Sequence, residues 1–104
     1  MLFFKREEFV PTCFSFKTIG ASVSQMKAKF GEPNYKDGVN EKVQNEWYVR
    51  IKDDNGKKYE ISVYDWKEYR IIDENEKINF HIGAERGVIL PEEVVTALLE
   101  YLNE

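Results

Sequence analysis

The 104-residue sequence predicts an α+β fold: a small antiparallel β-sheet, a meander built on a G1-bulge hairpin, packed against two helices. Three features lead there. The run NEWYVRIKDDNGKKYEISVYDW alternates apolar and polar residues on both sides of Asn55-Gly56, which is a hairpin signal. A later run, EKINFHIG, alternates in the same way. ASVSQMKAKFGEP and PEEVVTALLEYLNE instead carry apolar residues at helical spacing. Together they predict one domain over residues 1–104, a size at which a real core forms without disulfides or metal.

The first twenty residues are apolar and β-leaning. In CFSFKTI a strand would put Phe14, Phe16 and Thr18 on one face, with Ser15 and Lys17 on the other. The first helix opens at Ser22. Ser22 followed by Gln25 fits a capping box, in which each side chain satisfies a free backbone N–H. Val23, Met26 and Phe30 then share a face, Gly31 suits a left-handed C-terminal position, and Pro33 prevents continuation. Residues 33–44 read as a polar loop.

The hairpin register follows from two matches. A three-residue loop, Asp54-Asn55-Gly56 with Gly56 left-handed, pairs Ile51 with Tyr59, Val49 with Ile61 and Trp47 with Val63. It also sets Arg50 against Glu60 on the other face. A two-residue loop would mix the faces. Trp47, Val49, Ile51, Tyr59, Ile61 and Val63 therefore point to the core, and Tyr48, Arg50, Ser62, Tyr64 and Trp66 point away. The third strand turns Ile78, Phe80 and Ile82 inward and Lys77, Asn79 and His81 outward. The charged linker 67–75 carries a turn at DENE. In the second helix Pro91 fits the first turn, and Glu92 and Glu93 favour the positive end of the helix dipole. Val94, Val95, Leu98, Leu99 and Leu102 form the stripe that covers the sheet.

Composition excludes several functions. Net charge is −4, which argues against general nucleic-acid binding and suits docking on a basic partner. The single cysteine, Cys13, reads as a small apolar filler and fits a cytoplasmic protein. The apolar run Leu2 to Phe4 is too short for a signal peptide, and no stretch is expected to span a membrane. No pair of residues has zinc-ligand spacing, and no cofactor motif is present. His81 and Asp65 fall on opposite faces by strand parity, so a Ser-His-Asp triad is not expected. The acid pairs sit where turns and helix starts use them. In IGAERG the backbone near Gly83, with Arg86 following, suits a small anion; a plain connecting turn is the alternative.

The candidate site is one sheet face. Tyr48, Tyr64, Trp66 and His81 share it, with Lys67, Arg50 and Arg86 at its edge and Gly83 beside it. Aromatics that face water together require a cover. The N-terminal segment, a protein or second subunit, or a flat ligand stacked on the rings would each supply one.

The same residues carry a resemblance. EWYVRIKDDNGKKYEISVYDWKEYR followed by FHIGA resembles small uncharacterised proteins of tailed bacteriophages, in which a Tyr-Asp-Trp-Lys run precedes a His-Ile-Gly run. The matching residues are Tyr64, Asp65, Trp66, Lys67, His81, Ile82 and Gly83, within residues 46–83. The resemblance implies a phage protein working in the cytoplasm of a bacterial host, in a size class that often inhibits host defence. The expected function is a non-enzymatic binder that sequesters a small nucleotide-like immune signal. The alternative is an acidic inhibitor that docks on a host defence protein through its aromatic patch. Self-association into a homo-oligomer is compatible with both.

Overall fold

Two antiparallel strands joined at Asn55-Gly56 form the spine of the sheet. The structure is a computed structural model and describes residues 1–104. Strands β1 (Leu2–Lys5), β2 (Cys13–Ala21), β3 (Tyr35–Lys36), β4 (Asn45–Lys52), β5 (Lys58–Tyr64) and β6 (Ile78–Ala84) make one sheet, with helices α1 (Val23–Phe30) and α2 (Glu92–Leu102). The order across it is β1-β4-β5-β6-β2, with β3 alongside the start of β4. Every pairing is antiparallel.

The hairpin register is the one read from the sequence: Ile51 faces Tyr59, Arg50 faces Glu60, Val49 faces Ile61 and Trp47 faces Val63. Asp53 N–H donates to the Lys57 carbonyl at 2.9 Å, which closes a three-residue loop, and Gly56 stands at φ 84°. The β5–β6 pairing continues the meander, with Val63 opposite Ile82 and Tyr64 opposite His81. The chain departs from a pure meander at its N-terminus. β1 joins the free edge of β4, and β2 pairs along β6 at the opposite edge.

Inner-face residues meet both helices in one apolar cluster with Trp47 among its fully buried members. The Trp47 ring packs edge-on against Phe80, centroids 5.9 Å apart. Its indole N–H donates to the Gly31 carbonyl at 2.9 Å, so the end of α1 satisfies the one polar atom of the largest core side chain. The capping box is formed: Gln25 N–H donates to Ser22 Oγ at 3.1 Å, and Ser22 N–H donates to Gln25 Oε1 at 2.9 Å. In α2, Val94, Leu98 and Leu102 are buried, and Val95 packs at the margin of the core. Tyr101 stacks on Phe3 at 4.5 Å and so ties β1 to this helix.

The edge of β4 is fully used. Arg6 N–H donates to the Tyr48 carbonyl at 2.8 Å, and Asn34 Oδ1 accepts from Tyr48 N–H at 2.9 Å. Asn34 Nδ2 in turn donates to the Arg6 carbonyl at 2.6 Å, bridging β1 to the start of β3. At the far end Asp65, fully buried, accepts from Gln44 N–H at 2.6 Å and from the Asn45 backbone and side chain at 3.0 Å each. Asp65 thus holds the 33–44 loop onto the sheet.

Three expectations are corrected. Residues 33–44 are not loop throughout, because Tyr35 and Lys36 pair with Glu46 and Asn45 as β3. Register in β2 shifts between Phe14 and Lys17, so Ser15 and Phe16 form a bulge and simple alternation fails. Ser15 Oγ donates to the Ile82 carbonyl at 2.6 Å inside it, and Phe16 is thrown outward at φ 64°. Cys13 is exposed on the edge strand and is not a filler of the core.

Leu98 has no exposed surface and lies where α2 meets the sheet. Leu98→Ala is expected to cost about 2–5 kcal/mol by leaving a cavity. A denaturant midpoint that hardly moves would mean that α2 is not a structural cover.

Candidate functional site

The outer face carries alternate residues of β4, β5, β6 and β2. One row across it reads Glu46, Tyr64, His81, Thr18, and the next reads Tyr48, Ser62, Gly83, Phe14. Residues 6–12 connect β1 at one edge to β2 at the other, and they cross over this face. Arg6 fixes the crossing. Its side chain is 2% exposed. Its two terminal nitrogens donate to the Glu8 carbonyl at 2.9 Å and the Ile61 carbonyl at 2.7 Å. Arg6 Nε lies 2.6 Å from Glu60 Oε2 without hydrogen-bond geometry, so that contact is an ion pair and not a directed bond. The other Glu60 oxygen accepts from Arg50 Nε at 2.5 Å. Burial lowers the Arg6 pKa, and the Glu60 carboxylate opposes that shift.

At the far end of the crossing, Thr12 Oγ1 and Ser62 Oγ share a hydrogen bond of 2.7 Å directly over Gly83. A Cβ on Gly83 would lie 2.6 Å from both hydroxyl oxygens. Gly83 is therefore buried and permits close approach of the strap; it is not an open anion cradle. Arg86 projects from the turn after β6, exposed and with no ion-pair partner, next to Gly87 at φ 83°. It forms no cation–π pair with the rings of the face.

The strap covers the Ser62 row and leaves the Tyr64 row open. There the rings associate. Tyr64 meets Trp66 edge-on at 6.1 Å and His81 at 5.7 Å, and Trp66 lies 5.9 Å from His81. Lys67 Nζ sits 5.5 Å from the Trp66 centroid. Trp66 remains 37% exposed. The sequence missed two members. Phe14 stacks on His81 at 4.5 Å, and Phe16 lies 5.2 Å from Phe14. Phe16 is 87% exposed. Tyr48 stands apart from this group. Phe9 of the strap packs edge-on against it at 5.9 Å, and the Arg6 guanidinium lies 5.6 Å above its ring.

Burial lowers the pKa of His81, the only cause acting on it, so the imidazole is neutral near pH 7 and stacks as an aromatic ring. Burial likewise raises the Tyr64 phenol. His81 and Asp65 sit on opposite sides of the sheet, His81 on the open face and Asp65 wholly buried. No three His, Cys, Asp or Glu side chains converge as a metal ion would need. No helix is long and apolar enough to cross a membrane. The arrangement offers stacking and apolar contact with a cation at one end. Comparison with protein-family models, curated proteins and solved structures finds no match.

Trp66 and Trp47 should respond differently to truncation. Trp47→Ala is expected to cost about 3–5 kcal/mol, and Trp66→Ala about 1 kcal/mol, because only the first leaves a closed cavity. Equal losses in urea titrations would place Trp66 in the core. His81 makes a pH prediction. Its folded pKa lies below the ordinary 6.5, so neutral His81 stabilises the fold fully above that value. That contribution falls as pH drops from 6.5 through the lower folded pKa. Urea midpoints of His81→Phe should lack this decline; a parallel decline in the variant would assign it to other groups.

Proposed function

We propose that the protein is a non-enzymatic binding protein of phage type, which docks through its aromatic outer face on a host defence protein in the bacterial cytoplasm and blocks it. Phe16 carries this reading. A ring 87% exposed on a residue held at φ 64° costs the free protein twice. The left-handed backbone costs about 1–2 kcal/mol for a residue with a Cβ, and the ring buries almost nothing in return. Such a residue fits an interface anchor, and strain kept at an exposed position favours a functional reason for it.

The surroundings support the same reading. Phe14, His81, Tyr64 and Trp66 continue from Phe16 across the face, and Val88 and Ile89 add exposed apolar surface beside the bulge. Aromatic side chains commonly anchor protein interfaces. The net charge of −4 suits a basic partner. The resemblance to tailed-phage proteins supplies the host setting. Sequestration of a nucleotide-like signal is the second reading, favoured by Lys67 at one end of the Trp66 ring. It has less support, because the concave parts of the surface exclude Tyr64, Trp66 and His81, whereas small ligands prefer concave sites.

Phe16→Gly separates binding from folding. Glycine tolerates the left-handed backbone, so the variant should gain about 1 kcal/mol of stability. Capture of a host protein on the immobilised chain should nonetheless fall about thirtyfold, the loss expected of an interface anchor. Trp66→Ala should weaken capture as well, and Thr96→Ala on the exposed side of α2 should not. Capture indifferent to both Phe16 and Trp66 would exclude this face. Calorimetric binding of a cyclic or linear nucleotide, abolished by Trp66→Ala, would select the second reading.

A further inference from the structure

The largest concavity lies beside the aromatic cluster, at the β4 edge. It is a shallow groove of about 660 Å³, open to solvent and lined by Phe9, Tyr35, Tyr48 and Tyr69 together with Glu41, Lys42 and Glu46, with Asn40 and Val43 completing the wall. That volume lies in the range of small-ligand sites. Four aromatic rings come from four different places in the chain: the strap, β3, β4 and the linker after β5. The charged lining groups are two carboxylates and one amine.

Each wall is built in a specific way. Tyr35 donates its phenol O–H to Asp37 Oδ2 at 2.7 Å, which fixes the ring and sets a third carboxylate behind it. That bond and the Gly38 N–H hold the Asp37 carboxyl below its ordinary range, so it stays charged. Tyr69 stands at φ 50°, two residues after Lys67 at φ 54°. This left-handed pair turns the linker sharply after Asp65 and leaves the Tyr69 ring in the groove, 51% exposed. Tyr48 already holds one cation against its ring, the Arg6 guanidinium at 5.6 Å.

Glu46, like Glu41, forms no ion pair. It lies next to Tyr48 and Tyr64 on the outer face and pairs with neither Lys nor Arg. Burial pushes its carboxyl up, against the Ser62 hydroxyl and the more distant Arg6 charge. Arg6 itself is engaged by Glu60 at 2.6 Å. A carboxylate drawn from water among ring faces is matched by a cation whose organic body the rings can cover. A phosphate-bearing ligand would meet Glu41 and Glu46 instead, so charge disfavours a nucleotide in this groove.

We propose that this groove is a binding site for an organic cation, held by the faces of Tyr35, Tyr69 and Phe9 and by the Glu46 carboxylate. The inference is independent of the docking reading, because it concerns a separate concavity and needs no partner protein. Guanidinium, primary ammonium and quaternary ammonium heads share the required chemistry.

The test uses the full chain at low ionic strength, with ring resonances of the tyrosines followed by NMR. The probes are N-acetylarginine amide, N-acetyllysine amide and tetramethylammonium. N-acetylcitrulline amide and tert-butanol serve as neutral counterparts. Saturable shifts of Tyr35 and Tyr69 are expected for at least one cation, with its neutral counterpart about fivefold weaker or worse. The strongest arm identifies the head group. Glu46→Gln should weaken the cation about fivefold, and so should Tyr69→Ala, which alters an exposed ring and serves if the first variant fails to fold. No saturable shift with any cation would overturn the proposal. Neutral probes binding as well as the cations would do the same, since they would make the groove merely apolar.

Discussion

One buried arginine decides what the outer face of this sheet can do. Arg6 opens the 6–12 strap, buried, with its charge shared with Glu60 and its terminal N–H groups on two carbonyls. Removing Glu60 would strand the buried Arg6 charge, and breaking a buried pair in this way typically costs about 3–5 kcal/mol. The strap is therefore not a loose connection that can be lifted for a ligand. Because Glu60 also holds Arg50, the strap, β4 and β5 are joined through a single carboxylate. The strap's path follows from this anchor. It covers Ser62 and Gly83, and it leaves Tyr64, Trp66 and His81 open on one side.

The two faces thus have opposite characters. Inside, Trp47 is surrounded by apolar groups, and its one polar atom is answered by Gly31 at the end of α1. Outside, rings associate in pairs but keep exposed surface, and three non-glycine residues, Phe16, Lys67 and Tyr69, take positive φ. All three flank the open aromatic surfaces and none lies in the core. Strain of this kind persists only where the surroundings enforce it. Here the β2 bulge enforces one instance, and the turn after the anchored Asp65 enforces two.

The features legible in the sequence were those set by near neighbours. The hairpin register followed from agreement between apolar matching on one face and the Arg50–Glu60 match on the other. The capping box of α1 spans four residues and was readable from Ser22 and Gln25 alone. The parity that put Tyr64 and His81 on one face also held, because neither β5 nor β6 contains a bulge. Non-local pairing was not legible. Nothing in LFFK says that it will bind the edge of β4 some forty-five residues away, and the two residues of β3 are too few for a pattern to exist. Phe16 was misread for a definite reason. Bulges with a left-handed residue usually advertise themselves by glycine, and here the position holds an aromatic.

Gly83 gives the complementary lesson. A glycine after a strand, followed by an arginine, suggests a backbone ready to receive an anion. The same residue inside a strand suggests that another piece of chain passes close by, and the strap supplies that piece through Thr12. The two readings differ only in whether something covers the face, which local sequence cannot say. Arg6 decides between them: Glu60 on the outer face has an oxygen to spare beyond Arg50, and Arg6 takes it. Joining those two charges requires the chain to cross between them. Once it does, Gly83 must be glycine, and the aromatic rings beyond the strap are the part of the face left free to bind.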